Sequence, residues 1–368
     1  MLGNFTESLK GTVGGVVLLI ASFPILFKNE GCAVDIAKGL DEGESIVVSI
    51  DASKDVASYN GKLIHATGEA KAGARITDPE FGVETAALVL ERDVEMYQWK
   101  ETTREDSQTK QKTYTYDKEW TSLEIDSGGF HDTSKRNPPF PYSKRKIVAD
   151  SVSMGNLTFS DSLKGQISAG EKLNYDQTTV NRLKASLGNR AKITDGEIYV
   201  GRDPLSPEVG DVKVHHMYGK EGISSIIGQL TGSIVDSFTT KRETQILMFD
   251  YGTKDATSMF QKAQDDNVTR TWVVRVAGFF IMFLGFRLLF GPIAAAGGWI
   301  PILGGILEMG VSIVAGILAF SFSFVTISIA WIFFRPLLGL GLLALGVGAF
   351  AYLYQQKGKF SKNPSPQA

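Results

Sequence analysis

Two neighbouring histidines, His215 and His216, with His65 and His131 elsewhere, are the residues best suited to hold a metal or move a proton. Neighbours on a strand point to opposite faces, so one site does not easily use both. No His-x-x-x-His pair and no cysteine partner provides zinc spacing. The chain has one cysteine, Cys32, which allows no intrachain disulfide and leaves the redox compartment open. The histidines therefore read as structural or exposed, and no metal is expected. There is no nucleophile elbow, Walker loop or dinucleotide fingerprint. The pair Gly128-Gly129 lacks the strand-then-helix setting of a phosphate cradle. No catalytic or cofactor-binding residue is assigned, no cofactor is expected, and the chain reads as a non-enzyme. The competing enzymatic reading is an extracytoplasmic hydrolase with a triad assembled from distant segments.

A second group of side chains could recognise rather than react. Tyr97, Trp99, Tyr114, Tyr116 and Trp120 fall at alternating positions of two predicted strands and so share a face. Such a face is either an aromatic ladder stabilising a hairpin or an exposed surface for lipid headgroups, a neighbouring protomer or a partner. Formal net charge is -2, which gives no basis for nucleic-acid binding.

The elements that must position these groups fall into two populations, and a mean hydropathy of -0.01 averages over both. Residues 11–27 are an uncharged run between Lys10 and Lys28, long enough for an uncleaved first membrane helix. The run ends in Phe23-Pro24-Ile25-Leu26-Phe27, unlike a cleavage site. Gly11 and Gly15 share a helical face and permit close helix contact. Residues 28–270 are predicted as an α+β domain, with strands at 45–50, 62–66, 87–99, 112–125, 211–218 and 244–249 and helices at 177–187 and 255–266. The polar stretch 101–110 reads as a hairpin tip, and Asn137-Pro138-Pro139-Phe140-Pro141 as a possible division into two lobes near 137–141.

After Arg270 the chain turns apolar again. Residues 272–290 form a second span opened by Trp272, and 291–309 a Gly/Pro-rich interfacial or re-entrant connector, its apolar part reaching over 288–307. Residues 310–334 and 336–354 are two further spans joined at Arg335-Pro336, and 355–368 is a tail. The expected architecture is thus an α+β extracytoplasmic domain inserted between membrane spans of a four-helix α-helical transmembrane bundle. Lys10 and Lys357, Lys359 and Lys362 place residues 1–10 and the tail in the cytoplasm and the domain outside it. Arg335 then lies on the domain side, either snorkelling or paired with a domain carboxylate. Ser321 and Ser328 share a face of the third span, where hydroxyls bond back to their own helix or across to another. Gly339, Gly341, Gly346 and Gly348 allow close packing in the last span.

Several motifs, taken in this order, carry a resemblance: Phe27-Lys28-Asn29-Glu30-Gly31, Asp78-Pro79-Glu80-Phe81-Gly82-Val83, Val94-Glu95-Met96-Tyr97-Gln98-Trp99, Tyr114-Thr115-Tyr116-Asp117-Lys118-Glu119-Trp120, Pro207-Glu208-Val209-Gly210-Asp211, Trp272 and Trp331-Ile332-Phe333-Phe334-Arg335-Pro336-Leu337. The chain resembles the LUMA family, the transmembrane protein forty-three-like group, over nearly its full length. That resemblance implies a four-span, multi-pass membrane protein without enzymatic activity. It also implies self-association into a homo-oligomer and a role as a scaffold for other membrane proteins. In animals the family sits in the endoplasmic reticulum and nuclear inner membrane with a lumenal domain. A bacterial member would sit in the inner membrane with a periplasmic domain. The expected partners are membrane lipid, other copies and other membrane proteins, with no nucleic acid. The alternative functions are a channel or transporter subunit or modulator, motivated by the broken connector, and lipid binding.

Overall fold

The structure, a computed structural model, describes residues 2–106, 109, 111–291, 301–341 and 344, with the backbone alone at 2–10 and 301–308. The chain divides into two compact units. One is helical, built from residues 1–45, 239–244 and 260–368, and the other is a β-rich domain of residues 46–238 and 245–259.

The helices are α1 (Leu2–Ile46), α2 (Asp161–Gly165), α3 (Gln177–Leu187), α4 (Ala256–Leu289) and α5 (Pro301–Phe334). Among the described residues three helices are long and apolar enough to cross a membrane: Gly11–Ile46, Ala256–Leu289 and Met309–Phe334. The expected fourth span begins as a helix at 336–341, after a break at Arg335, and most of it lies outside the described residues.

Three predicted boundaries change. The first helix does not end at 27 but continues through Ile46, so residues 28–45 belong to the helical unit rather than the domain. Lys28, Asn29 and Glu30 look like an exit into water. However, the Glu30 carboxylate is held by other helices and Asn29 Nδ2 donates to the Thr271 carbonyl at 3.2 Å, so polarity need not end the helix. Likewise α4 is one continuous helix from Ala256, and the predicted break between a domain helix and the span at 272–290 is absent. Of the predicted connector 291–309, residues 301–309 are helical and belong to α5. Residues 292–300 lie outside the described residues.

The strands in chain order are β1 (Val48–Ile50), β2 (Leu63–Ala72), β3 (Ile76–Asp78), β4 (Val83–Thr85), β5 (Val89–Glu105) and β6 (Lys112–Thr121). Then come β7 (Arg145–Val148), β8 (Val152–Met154), β9 (Leu157–Phe159), β10 (Glu171–Lys172), β11 (Ala191–Thr194) and β12 (Glu197–Val200). The last are β13 (Val212–Gly219), β14 (Gly222–Thr231), β15 (Ile234–Asp236), β16 (Phe238–Thr239), β17 (Gln245–Ile246) and β18 (Met248–Tyr251). One sheet has the order β1-β2-β8-β9-β15-β14-β18, and a further β2–β14 pairing makes five of its strands a closed ring. The other runs β11-β12-β13-β5-β6, with β10 on β13 and β7 on β5. β5 shows why these residues form a sheet: Leu90, Val94, Met96 and Gln98 are buried while Glu91, Asp93, Glu95 and Tyr97 are half-buried, a period of two. The inward residues of both sheets form one apolar core with Leu88, Met154, Leu157, Ile198, Val214 and Ile226.

The segment 137–141 does not split the domain into lobes. Asn137 clamps it to β5, its Oδ1 accepting from Trp99 N at 2.7 Å and its Nδ2 donating to Trp99 O at 2.9 Å. A side-chain amide that completes a backbone ladder ties a proline-rich segment to the sheet instead of letting it hinge.

Candidate functional site: two buried carboxylates and an aromatic face

In the helical unit the chemistry converges on Glu30, which is fully buried. Arg275 of α4 grips it with both fork nitrogens, Nε to Oε1 and Nη2 to Oε2, each at 2.7 Å. Trp331 of α5 donates its indole N–H to Oε2 at 2.8 Å. A planar guanidinium matches a carboxylate in this bidentate way, and the pairing is both directional and strong. Trp272 and Trp331 flank the Arg275 guanidinium at 4.7 and 5.8 Å, covering it with ring faces. Arg335 adds its charge to the same cluster. The Glu30 carboxylate stands on α1, within the stretch 28–270 that the sequence pattern assigned to the domain.

Close backbone contacts bring the three helices together at this level. Gly31 lies under Phe334: a Cβ there would stand 2.8 Å from the ring. Phe27 packs on Phe333 and Phe334 at centroid distances of 5.8 and 5.3 Å. Further along, Gly15 of α1 meets Gly285 of α4, where a Cβ on Gly15 would be 2.7 Å from the Gly285 carbonyl oxygen. Gly11, its predicted companion, makes only an ordinary contact with Leu288. Ser321 and Thr326 donate to their own helix, to Ile317 O and Phe322 O at 2.8 and 2.7 Å. Ser323 reaches across to Met282 Sδ at 3.5 Å, and Ser328 is half-buried. Gly339 sits against the Ile332 backbone, no described residue stands within 4 Å of a Cβ placed on Gly341, and Gly346 and Gly348 lie outside the described residues. Trp272 is largely exposed.

The β-rich domain carries a second buried carboxylate, Asp78, at the end of β3. Arg92 on β5 donates through Nη1 to both its oxygens, at 3.0 and 2.9 Å. His216 on β13 meets Asp78 Oδ2 through Nε2 at 2.9 Å, and its Nδ1 meets the Tyr175 hydroxyl at 2.9 Å. Arg92 also reaches Glu80 at 2.6 Å and the Ser143 carbonyl at 3.0 Å, with Phe81 below it. The motif Asp78-Pro79-Glu80-Phe81-Gly82 thus supplies two carboxylates and a ring for one arginine. Gly82 turns the chain at φ +63, a left-handed conformation disfavoured for other residues. His215 points the other way, towards Asp93 at 3.7 Å, so the two histidines do not share a site.

Burial alone would raise the Asp78 carboxyl, but the His216 hydrogen bond and the Arg92 charge overcome it and hold the group below the usual carboxylate range. Burial pushes the Tyr175 phenol well up, so it stays protonated. The chain Tyr175–His216–Asp78 has the order of an acid–base relay, yet its hydroxyl also accepts from His216 N at 3.2 Å. The nearby cavity, about 710 Å³, is lined by Glu80, Asp93, Lys144 and Tyr142 but by none of the three relay residues. Asp78 and His216 are fully buried and Tyr175 is half-buried.

The five predicted aromatics do lie on one face. The register sets Tyr97 opposite Trp120, Trp99 opposite Lys118, Glu101 opposite Tyr116 and Thr103 opposite Tyr114. All five rings are half-buried: residues 130–135 lie against Trp99, Tyr114 and Tyr116, while Trp120 packs on Tyr97, Tyr199 and Lys213. His131 stacks on Tyr114 at 4.2 Å, and Lys118 and Lys135 sandwich Trp99 at 4.7 and 4.4 Å. Asp132 N and Glu101 both bond the Tyr116 hydroxyl, at 2.7 and 2.6 Å.

The family model described as Transmembrane protein 43 matches residues 96–336. A rat protein named Transmembrane protein 43 is 31% identical over 365 residues, covering 94% of this chain and 90% of the relative. The human protein of that name is 29% identical over the same share, and a Drosophila homolog is 28% identical, covering 95% of this chain and 97% of its own. No solved structure matches the chain.

Proposed function

The chain belongs to the transmembrane protein 43 family of membrane proteins, and from that premise we propose that it is a non-enzymatic, self-associating organiser of membrane protein complexes. The observation that carries this reading is the saturation of Glu30. Three donors from two other helices occupy its carboxylate, so the one buried acid of the described spans serves as a fastener and not as a pathway. The hydroxyls of Ser22, Ser321 and Thr326 are turned back onto their own helices, and the outward faces are apolar: Ile313, Ile317, Phe320 and Phe324 are exposed. A knotted bundle with apolar flanks suits lateral assembly in lipid better than conduction. The flanking lysines support four spans with the domain on the extracytoplasmic side, in a lumen or a periplasm.

Chemical crosslinking in native membranes tests the proposal. Species of two or more copies are expected, and a strictly monomeric chain overturns it. Conductance from the purified protein in a lipid bilayer would replace it with the channel reading.

A further inference from the structure

β6 forms an edge of its sheet. It pairs with β5 along ten consecutive positions, from Met96↔Thr121 to Glu105↔Lys112. Among the described residues, Thr113–Trp120 make no backbone hydrogen bond on the other side. Alternate N–H and C=O groups along that side are thus a template for another strand. Its residues, Lys-Thr-Tyr-Thr-Tyr-Asp-Lys-Glu-Trp-Thr, are mostly β-branched or aromatic and include no proline.

We propose that this edge pairs with the same edge of a second copy, the two β6 strands running antiparallel about a two-fold axis at Tyr116. The occupant follows from the charges. A two-fold axis normal to the sheet sets one residue opposite its own copy and the others pairwise around it. Centred on Thr115, the axis would oppose Lys112 to Lys118. Centred on Asp117, Lys118 or Glu119, it would oppose a charge to itself. Centres nearer either end leave most of the strand unpaired. Only Tyr116 spans the strand without opposing like charges. It sets Tyr114 opposite Lys118, Lys112 opposite Trp120, Thr115 opposite Asp117 and Thr113 opposite Glu119, each pair occurring twice. Cation-on-ring and hydroxyl-on-carboxylate pairs are favourable cross-strand neighbours. Such self-complementarity is satisfied by another copy of this chain and by no arbitrary strand. The inference rests on the self-association proposed above and gives it a surface.

The test uses the full chain in native membranes, with the exposed Cys32 replaced (Cys32→Ser). Thr113→Cys and Glu119→Cys chains are expressed together and separately, then oxidised. Opposed residues of an antiparallel pair stand about 4.5–5.5 Å apart at Cα, within disulfide reach, whereas either cysteine alone would be roughly 20 Å from its own copy. A disulfide-linked dimer is expected in the mixture and not in either chain alone. A mixture that stays unlinked, or single variants that link as well, overturns the pairing. If lysine-reactive crosslinks still give oligomers in that case, self-association stands by another surface; if they do not, both readings fall. A second pair of variants keeps Tyr116 and the fold intact. Thr115→Asp opposes Asp117 and should weaken the dimer in detergent dilution roughly three- to tenfold, while Thr115→Lys should strengthen it. Equal effects of the two changes would also overturn the register.

Discussion

Glu30 and Asp78 are both fully buried carboxylates, and each is held by an arginine, yet they are built for different tasks. Glu30 draws its partners from α4 and α5, hundreds of residues away in sequence, and all of them are permanent donors: Arg275 and an indole N–H. Asp78 sits at the end of a short strand in a network that contains two titratable side chains, His216 and Tyr175, and a route to the surface through Glu80. The first is a joint between helices and the second a polar core in a sheet domain. A buried ion pair between helices is weak evidence of stability but good evidence of register, because one partner left alone is costly. In the domain, apolar residues of both sheets already supply a core, and the polar network locks the particular way β3, β5 and β13 meet.

The comparison can be broken at its strongest point first. Glu30→Ala leaves the half-buried Arg275 without its carboxylate, and should destabilise the solubilised helical unit by about 3 kcal/mol, read as a lower midpoint in thermal unfolding followed by Trp fluorescence. Asp78→Asn keeps the shape and removes the charge. It should cost the domain about 2–3 kcal/mol at neutral pH, and its effect should vanish in acid. Because the native Asp78 pKa is lowered, its contribution is complete above the ordinary carboxylate value near 3.9 and disappears as pH falls from there through the native value. The stability difference between wild type and Asp78→Asn, measured downward from pH 7, should therefore stay constant to about pH 4 and narrow progressively below it. If it does not narrow, hydrogen-bond geometry and not charge accounts for the site.

Tyr175→Phe removes the hydroxyl that serves both His216 Nδ1 and His216 N, at an expected cost of about 1–2 kcal/mol in chemical denaturation. The smallest net change should come from the double variant Glu30→Leu with Arg275→Leu. With neither charge left unpaired, stability should return to within about 1 kcal/mol of wild type. Crosslinked oligomers should nonetheless form less well if the pair sets helix register, which would separate the joint's specificity from its strength.

Much of this was legible in the residues. The three long apolar helices follow from runs of uncharged sequence, α3 falls on its predicted bounds, and the β5–β6 hairpin follows from alternation. What was missed has physical causes. β14 was invisible because Gly222, Ser224, Ser225 and Gly228 lack strand-forming side chains, although it bridges β2, β15 and β18. There small residues are what fit: a Cβ on Gly228 would stand 2.7 Å from Val235. The Glu30 joint was hidden for the opposite reason. A glutamate just after an apolar run looks like the end of a span, and only partners at 275 and 331 show that it is not. The Asp78 network was equally hidden, since His216 looked like half of a histidine pair and no local spacing connects it to residue 78. The motifs that carry the family likeness contain both acids, but their order along the chain does not show which arginine each one meets.

The length of α1 has a mechanical consequence. Its 45 residues make a rod of roughly 68 Å, about twice the hydrocarbon thickness of a bilayer. The half beyond the joint at Glu30 carries the segment Thr239–Thr244, with Gly39 against Thr244 and Arg242 paired to Asp35. Such a rod converts angle into displacement. A change in tilt of about 10° moves a point about 30 Å along it by about 5 Å.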